Sequence, residues 1–287
     1  MSNCFLCGSE KADIIHRGVR DNPEINVLKC KNCGLVRLSK FIADTEDYYS
    51  SSKMRIGDVE NNLKEIRVTA AVDDERRYKF ISRMIENKTY LDFGCGAGGI
   101  LKLAQNKARR VFGVELEKAM CDVLEKEGIK CYASVSQALK DLKGKMNVVS
   151  LFHVLEHLEN PIDYLQELKS LLSEGGKIII EVPNADDALL SLYESDEFAN
   201  FTYWESHLYL YNNTTFSELM KQAGLKIQFL GQIQRYPLSN TFYWLAKGKP
   251  GGHKEWAMLS NEKLDAEYES QLAKLGIADT IMAVVKK

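Results

Sequence analysis

The stretch Thr89–Ala104, TYLDFGCGAGGILKLA, indicates the fold more directly than any other part of the sequence. A short apolar run ends in closely spaced glycines, at Gly94, Gly96, Gly98 and Gly99, and apolar residues at helical spacing follow. Because glycine permits sharp turns and places no side chain between backbone and ligand, this order predicts a strand, a tight turn and a helix. The first N–H groups of that helix would attract a carboxylate or phosphate. Asp92, at the end of the strand, would accept hydrogen bonds from an ammonium or hydroxyl group.

The glycine turn leaves more than one cofactor class open. Gly94, Gly96 and Gly99 also satisfy the dinucleotide pattern GxGxxG, which is weak evidence by itself. The next predicted strand, 110–116, contains Glu115, about twenty residues past the glycines, where nucleotide-binding α/β units place the acid for the ribose hydroxyls. The pattern therefore predicts a cofactor with a nucleoside part, and a nicotinamide dinucleotide is one alternative.

The residues around the glycine turn alternate between strand and helix patterns. Buried strands are predicted at 90–93, 110–116, 129–133, 146–152 and 177–182. Helices are predicted at 58–87, 118–127 and 136–142, and from Pro161 to the pair Gly175-Gly176. The later part of the chain adds extended residues at 206–211, helices at 214–223 and 262–275, and strands at 226–230 and 280–285. This alternation predicts an α/β fold with a Rossmann-like, doubly wound, mostly parallel sheet.

Four cysteines near the start form two CxxC pairs, Cys4 with Cys7 and Cys30 with Cys33. Each pair is followed at once by glycine, which suits the tight turn that lets two thiolates face one ion. The spacing predicts a small zinc ribbon with a structural, fully coordinated Zn²⁺. Four unrelated cysteines and a redox CxxC are the alternatives.

Composition sets wide bounds on function. The 287 residues suffice for one large domain with an appendage or for two small domains, and the formal net charge is −2. The chain has no excess of basic residues that would indicate a nucleic-acid partner, and it has no apolar run long enough to indicate a membrane span. The start, MSNCFLCGSE, lacks signal-peptide features. We therefore expect a cytoplasmic protein with reduced cysteines.

Several motifs in one order resemble class I S-adenosylmethionine-dependent methyltransferases. They are Asp92-x-Gly94-x-Gly96-x-Gly98, Glu115, the strand ending in His-Val-Leu-Glu-His, and Gly-Gly-Lys-Ile-Ile-Ile-Glu-Val-Pro-Asn. The resemblance covers about residues 75–230. The four-cysteine segment joined to such a domain also resembles methyltransferases of bacterial surface-polysaccharide and deoxysugar pathways, although more loosely.

The resemblance implies roles for particular residues. The turn Gly94, Gly96, Gly98 would pack against the methionyl part of S-adenosylmethionine, with Asp92 near its ammonium group. Glu115 would bind both ribose hydroxyls, and Leu116 and Phe152 would flank the adenine. The family often has a further acidic residue after the third strand, and the sequence at 133–136 offers none. S-adenosylhomocysteine would be the product.

Four residues are candidates for the chemistry: His153, Glu156, His157 and His207. The first three follow the strand 146–152 at the sheet edge where such folds bind ligands, and His207 lies on a predicted lid. In one interpretation, His157 or His207 is the general base for a hydroxyl acceptor. In another, all four residues bind a divalent metal that polarises the hydroxyl, although a histidine at the first position disfavours Mg²⁺. In a third, Glu156-His157 only caps the next helix.

The predicted domains are a zinc-ribbon-like segment at 1–40, a linker with leading helices at 41–87, and a methyltransferase domain at 88–287. That last domain would include a helical and aromatic lid at about 185–212 and a C-terminal segment at 234–276. Its aromatic residues would line an acceptor pocket or pack the lid onto the sheet: Trp204, Tyr209, Tyr211, Tyr236, Tyr243 and Trp244.

Together these features predict an enzyme that methylates a hydroxyl of a sugar, a nucleotide sugar or another surface-glycan precursor. C- or N-methylation of a sugar nucleotide is one alternative. A non-catalytic, cofactor-binding module that docks onto a partner enzyme is another. The sequence leaves the oligomeric state open.

Overall fold

The computed structural model describes residues 3–41 and 59–287. Residues 42–58, which include the first part of the predicted linker segment 41–87, lie outside the described residues. The strands are β1 Ala12–His16, β2 Val27–Cys30, β3 Val36–Leu38, β4 Thr89–Phe93, β5 Arg110–Val114, β6 Lys130–Tyr132, β7 Met146–Phe152, β8 Leu172–Pro183, β9 Tyr209–Leu210, β10 Lys226–Ile233 and β11 Thr280–Lys286.

The described helices are α1 Val59–Ile85, α2 Gly99–Ala104, α3 Lys118–Lys126, α4 Val135–Leu142, α5 Pro161–Leu171, α6 Ala188–Ser191, α7 Asp196–Thr202, α8 Asn213–Gln222, α9 Leu238–Lys247, α10 Gly252–Glu255 and α11 Glu262–Leu275. Short 3-10 helices lie at Leu155–His157 and Ala257–Leu259. None of the helices in this part of the chain is both long enough and apolar enough to cross a membrane.

A seven-stranded sheet forms the centre of the molecule, with the strand order β10-β11-β8-β7-β4-β5-β6. The strands from β8 to β6 are parallel, and β11 runs antiparallel to both of its neighbours. The predicted α/β, mostly parallel sheet is therefore confirmed. Because the carboxyl ends of parallel strands share one edge, the residues after β4, β5 and β7 lie on the same side of the sheet.

Helices cover both faces of this sheet, which explains why its strands read as continuous apolar runs. Along β4 and β7, alternate residues enter different core clusters: Leu91 and Val149 join one, and Tyr90 and Val148 join the other. This is the two-residue period of a strand buried on both sides.

A second, four-stranded antiparallel sheet has the order β1-β2-β3-β9. Its first three strands come from the four-cysteine segment, and β9 comes from the predicted lid. The buried residues of this segment belong to the same core cluster as one face of the main sheet. The domain boundary near residue 40 stays a prediction, but the structure shows no break in the core there.

Two boundaries differ from the expectation. Helix α5 ends at Leu171 rather than at Gly175-Gly176, and the chain enters β8 at once. The pairing of β7 with β8 is irregular here, and a Cβ on Gly176 would lie 2.8 Å from the carbonyl oxygen of Met146. The glycines therefore accommodate a distorted strand instead of ending the helix. Strand β5 ends at Val114, so that Glu115 lies just past the strand.

Candidate active site

The four paired cysteines converge in the structure. The Sγ atoms of Cys4 and Cys33 are 3.6 Å apart, those of Cys7 and Cys30 are 3.5 Å apart, and all four lie within 4.8 Å of one another. The glycine after each pair has a positive φ, 74° at Gly8 and 83° at Gly34. Because four thiolates at such distances suit a tetrahedral ion with S ligands, the donor set fits a structural Zn²⁺.

The glycine turn follows β4 and needs its glycines. Gly94, Gly96 and Gly98 have φ values of 72°, 50° and 70°, which side chains rarely allow. A Cβ on Gly94 would lie 2.5 Å from a methyl carbon of Val154, and a Cβ on Gly98 would lie 2.2 Å from one of Leu124. The turn therefore packs directly against the residue that follows His153 after β7.

Asp92 is a buried carboxyl group at the end of β4. It accepts a hydrogen bond from the Ser150 hydroxyl, whose Oγ lies 2.7 Å from the Tyr90 hydroxyl. Burial raises the pKa of Asp92 to about 7, although the Ser150 hydrogen bond opposes this shift. The group is therefore poised between its neutral and charged forms near neutral pH.

Glu115, just past β5, forms hydrogen bonds that link the end of this strand to the glycine turn. One carboxylate oxygen accepts from the backbone N–H of Gly96 at 2.8 Å, and the other accepts from that of Glu117 at 3.0 Å. A carboxylate accepts up to about four hydrogen bonds, so these contacts are compatible with ribose hydroxyls at the same group. The predicted adenine neighbours differ in environment: Leu116 is half-buried, while the Phe152 ring lies 5.0 Å from the guanidinium carbon of Arg77.

Helix α1 covers the glycine turn, a role that the sequence did not reveal. Arg67 donates from Nη2 to the carbonyl oxygen of Ala97 at 2.9 Å and also binds Glu127. A Cβ on Gly99 would lie 1.9 Å from a carboxylate oxygen of Asp74. The sequence predicts a helix here, but nothing in it shows which strand end the charged residues of that helix meet.

His153 is the first histidine after β7 and has a φ of 55°. Its Nδ1 lies 3.2 Å from Glu156 Oε1, while its Nε2 lies 3.1 Å from Glu181 Oε1 and 3.2 Å from Arg235 Nη1. Burial and Arg235 oppose its charged form, but the hydrogen bonds to the two carboxylates outweigh them and raise its pKa. Both ring nitrogens thus face charged side chains.

A buried ion network surrounds that ring. Glu181 is fully buried on β8 and binds Arg76 at 2.8 Å and Arg77 at 2.7 Å. Arg235 is bonded to Asp73 of α1 through its guanidinium. These contacts join α1 to the sheet edge and surround the Nε2 side of the His153 ring with charged groups.

Next to His153, the residues Glu156, His157 and His207 form a group that we call the histidine cluster. One ligand-type atom from each of these three residues lies within 4.8 Å of the others. Glu156 is fully buried, and the two ring centroids are 5.0 Å apart. The structure therefore brings all four predicted catalytic residues close together. Glu156, His157 and His207 converge on one point, and His153 adjoins them through its Nδ1, which lies 3.2 Å from Glu156 Oε1.

Hydrogen bonding and charge define the state of this cluster. His157 Nδ1 lies 2.7 Å from the carbonyl oxygen of Ser206 and must donate to it, since a carbonyl only accepts. In the neutral ring, Nε2 then has the lone pair. Burial lowers the pKa of His157 and lowers that of His207 to about 3, the latter helped by His157. Burial opposes the charged form of Glu156, but His153 and His157 hold its pKa at about 2.

Two polar atoms of the cluster have no hydrogen-bond partner among residues 3–41 and 59–287. They are Glu156 Oε2 and His207 Nδ1, both buried. An unpaired buried polar atom is costly, so these atoms mark a place where a ligand, water or ion would be stabilised.

A cavity of ≈ 340 Å³ adjoins the cluster between the sheet edge, α7 and α9. Both His153 and His207 lie in its wall, as does the buried carboxyl group of Asp187. Burial and the neighbouring Asp279 raise the pKa of Asp187 to about 8, so this group would donate as well as accept a hydrogen bond at neutral pH.

The predicted aromatic set divides between this cavity and the core. Tyr236 and Trp244 line the cavity, together with Phe198 and Phe201. The others lie elsewhere: Tyr209 and Tyr211 are buried in the core, Tyr243 packs on Trp256, and Trp204 contacts His157 and His207. Tyr209 and Tyr211 therefore pack the lid onto the core, while Tyr243 packs within the C-terminal segment.

Comparison with known sequences identifies a matching protein family and several similar proteins. A family model described as a methyltransferase domain matches residues 67–228. An uncharacterized protein of Methanocaldococcus jannaschii is 29% identical over 146 residues, which cover 51% of this chain and 68% of that protein. A protein of Coxiella burnetii named as a ubiquinone biosynthesis O-methyltransferase is 21% identical over 178 residues, covering 58% of this chain and 76% of its own length.

Comparison with solved structures supports the same fold. The chain is similar to a SAM-dependent methyltransferase from Archaeoglobus fulgidus, with a TM-score of 0.52 and 19% identity. The match covers 83% of this chain and 98% of that one. At this identity the likeness shows a shared fold.

Proposed function

The chain belongs to the methyltransferase domain family as an S-adenosylmethionine-dependent enzyme, and from this premise we propose that it methylates a hydroxyl of a sugar, a nucleotide sugar or another surface-glycan precursor. The observation that supports this most strongly is the position of His207. Its imidazole lines the ≈ 340 Å³ cavity, and its ring centroid lies 5.0 Å from that of His157, so the histidine cluster adjoins a candidate acceptor pocket.

The residues of the glycine turn and of β5 fit the cofactor. Side-chain-free backbone at Gly94, Gly96 and Gly98 would hold the methionyl part, Asp92 would face its ammonium group, and Glu115 would accept from the ribose hydroxyls. When bound, S-adenosylmethionine supplies a methyl group on a sulfonium, which is already a good leaving group. The protein's task is then to align the acceptor and remove a proton.

His157 is our choice of general base. The Ser206 carbonyl fixes its tautomer with Nδ1 protonated, so that Nε2 accepts the proton of the acceptor hydroxyl. Glu156 Oε1 lies 4.0 Å from this Nε2 and would stabilise the imidazolium that forms. His207, whose pKa is about 3, stays neutral and would orient the hydroxyl instead of taking its proton.

A divalent metal in the histidine cluster is the second candidate mechanism, favoured by the convergence of its three ligand-type atoms. Two imidazoles and one carboxylate suit Zn²⁺ or Mn²⁺ better than Mg²⁺, which prefers oxygen ligands. Such an ion would polarise the acceptor hydroxyl. The chain's own contribution would be Glu156 Oε2 and His207 Nδ1, the two atoms that lack partners among the described residues.

These two mechanisms give different results in one experiment. Metal content is measured for the wild type and for His207→Gln, and methyl transfer is measured with and without a chelator too weak to remove thiolate-bound zinc. With a base alone, one zinc per chain is found in both proteins and the chelator has no effect. A second metal that is lost from His207→Gln, together with chelator-sensitive turnover, would support the metal mechanism.

The acceptor class rests on the chemistry of the cavity wall. Aromatic rings such as Trp244 and Tyr236 offer faces on which sugars stack, while Asp187, Asn240 and Thr241 offer hydrogen bonds to hydroxyls. The name of the Coxiella burnetii relative supports oxygen as the methylated atom.

The acceptor is tested by incubating the enzyme with labelled S-adenosylmethionine and a mixture of sugar nucleotides and capsule precursors. We expect one methyl group on a sugar oxygen. A label on carbon or nitrogen would replace this proposal with C- or N-methylation. A non-catalytic module for a partner enzyme predicts tight cofactor binding with no labelled product from any acceptor.

A further inference from the structure

The segment that contains His207 is held by the four-cysteine module, which we define as residues 3–41. We propose that this module is a positioning element for the histidine cluster, and that its Arg20 and Asp21 are positioning residues. The inference rests on the proposed function of the cluster, but it is argued from contacts across the seam between residues 3–41 and residues 200–211.

The seam begins with a shared sheet. Strand β9 pairs with β3 in antiparallel register, Val36 opposite Leu210 and Arg37 opposite Tyr209. The N–H of Leu38 extends this ladder by donating to the carbonyl oxygen of Leu208 at 3.1 Å. A two-residue strand has little stability of its own, because isolated pairs are marginal in water. The module's three strands therefore act as its template.

Contacts continue on the other side of His207. The backbone N–H of Arg20 donates to the carbonyl oxygen of Tyr203 at 2.9 Å, and the N–H of Glu205 donates to Asp21 Oδ1 at 2.9 Å. The guanidinium of Arg20 lies over the Trp204 ring at 4.8 Å. The module thus contacts the chain both before and after Ser206-His207.

The same short segment contacts both rings of the cluster. The Ser206 carbonyl accepts from His157, and Trp204 packs against His207 with ring centroids 5.1 Å apart. Any displacement of residues 203–208 would therefore move His207 and release the hydrogen bond that fixes the tautomer of His157. The glycine turn and Glu115 make none of these seam contacts among the described residues.

Zinc would act on the cluster indirectly, by stabilising the folded four-cysteine module. A segment of this size has little core, so four thiolates around one ion would supply much of its folding free energy. Loss of the ion would loosen β3 and, with it, β9 and the cluster. The glycine turn and Glu115, which follow β4 and β5, would keep their positions.

Two double variants test this, with hydrogen exchange of residues 203–211 as the first readout. Cys30→Ser/Cys33→Ser removes two of the four thiolates that would hold zinc. Arg20→Ala/Asp21→Ala keeps all four and removes the Arg20 guanidinium and the Asp21 carboxylate from the seam, while the backbone pairing of β3 with β9 remains. Glu24→Ala/Lys40→Ala is the matched control, because it removes an exposed ion pair of the same module that lies outside the seam. The second readout is the tautomer of His157 in imidazole ¹⁵N spectra, and the third is affinity for S-adenosylhomocysteine.

We expect backbone exchange at 203–211 to be about tenfold faster in the seam variant and faster still in the zinc-free one. The His157 tautomer should become mixed in both, while cofactor affinity and the control variant stay at wild-type values. Unchanged exchange and tautomer in the seam variant would overturn the proposal, and so would an equal loss of cofactor affinity. Because no readout uses turnover, an error in the proposed acceptor would leave these results interpretable.

Discussion

The glycine turn and the histidine cluster lie beside each other, but they are assembled from very different lengths of chain. The turn, Asp92 and Glu115 come from two consecutive strand-loop units, and Glu115 binds a backbone N–H only nineteen residues away in sequence. The cluster joins residues after β7 to a segment 49 residues later, which in turn pairs with β3 near the start of the chain.

This difference indicates how substitutions can alter the two halves of the site, which are the cofactor half at the glycine turn and the acceptor half at the histidine cluster. A cofactor site built from local turns depends on glycine conformations and one acid, which any chain of this family can supply within a short stretch. An acceptor site built from distant segments can be altered by changing the lid or the four-cysteine module while the cofactor site is kept. The predictions below test whether the two halves separate in this way.

The largest expected effect is on turnover in His157→Asn. The asparagine amide can still donate to the Ser206 carbonyl, but it has no basic nitrogen, so we expect kcat to fall about 10²- to 10⁴-fold. Affinity for S-adenosylhomocysteine, measured by titration calorimetry, should not change. Wild-type turnover in this variant would remove His157 from the mechanism.

The opposite pattern is expected for Glu115→Gln. Loss of the charged acceptor should weaken cofactor binding by about ten- to a hundredfold, because hydrogen bonds to charged groups contribute more than neutral ones. At saturating cofactor, kcat should stay near the wild-type value. Asp122→Asn, an exposed acid on the next helix, is the control and should bind normally. A lowered kcat with unchanged affinity would contradict the assignment of Glu115.

A smaller effect is expected when pH is changed, because the protonation of Asp92 should alter the affinity for the cofactor. The pKa of Asp92 is about 7, and in the proposed role its ionised form would bind the cofactor's ammonium group much more strongly than its neutral form. Affinity should therefore be full above the pKa and fall as pH drops below it, by about tenfold between pH 8 and pH 6. In Asp92→Asn the affinity should be weaker at pH 8 and nearly independent of pH. A wild-type affinity that does not change over this range would show that Asp92 does not face the ammonium group.

The smallest expected effect is on the free energy of unfolding. It is tested by comparing substitutions at two glycines that have similar φ values, Gly98 and Gly128. Gly98→Ala places a Cβ 2.2 Å from a Leu124 methyl carbon, whereas Gly128→Ala places one in open space. We expect Gly98→Ala to lower the free energy of unfolding by about 2–3 kcal/mol and Gly128→Ala by about 1 kcal/mol, measured by urea denaturation. Equal losses would mean that the turn does not require a glycine for close packing.

The mostly parallel sheet and the positions of its strands along the chain can be predicted from the sequence, because each depends on local patterns. Apolar runs give the strands, the glycines at 94–98 give the turn, and the CxxC spacing predicted the convergence of the four cysteines. The sequence also groups Glu156 and His157, since both follow one strand.

The remaining features depend on contacts that no local pattern specifies. That Tyr209 is buried against the four-cysteine module, or that Arg77 covers Phe152, follows from how distant segments dock. His153 shows the same limit: its position after β7 predicts a place at the site, but its contacts with Glu181 on β8 and with Arg235 after β10 depend on how distant segments dock. The glycines at 175–176 were read as a helix end because the irregular β7–β8 pairing depends on the neighbouring strand.

Native mass spectrometry with added S-adenosylhomocysteine tests the separation of the two halves most directly. Three proteins are compared: the wild type, His157→Asn and Cys30→Ser/Cys33→Ser. The account predicts equal occupancy by S-adenosylhomocysteine in all three, with one zinc missing only from the cysteine variant. Loss of S-adenosylhomocysteine from His157→Asn or from the zinc-free protein would contradict it, because the cofactor half would then depend on the acceptor half.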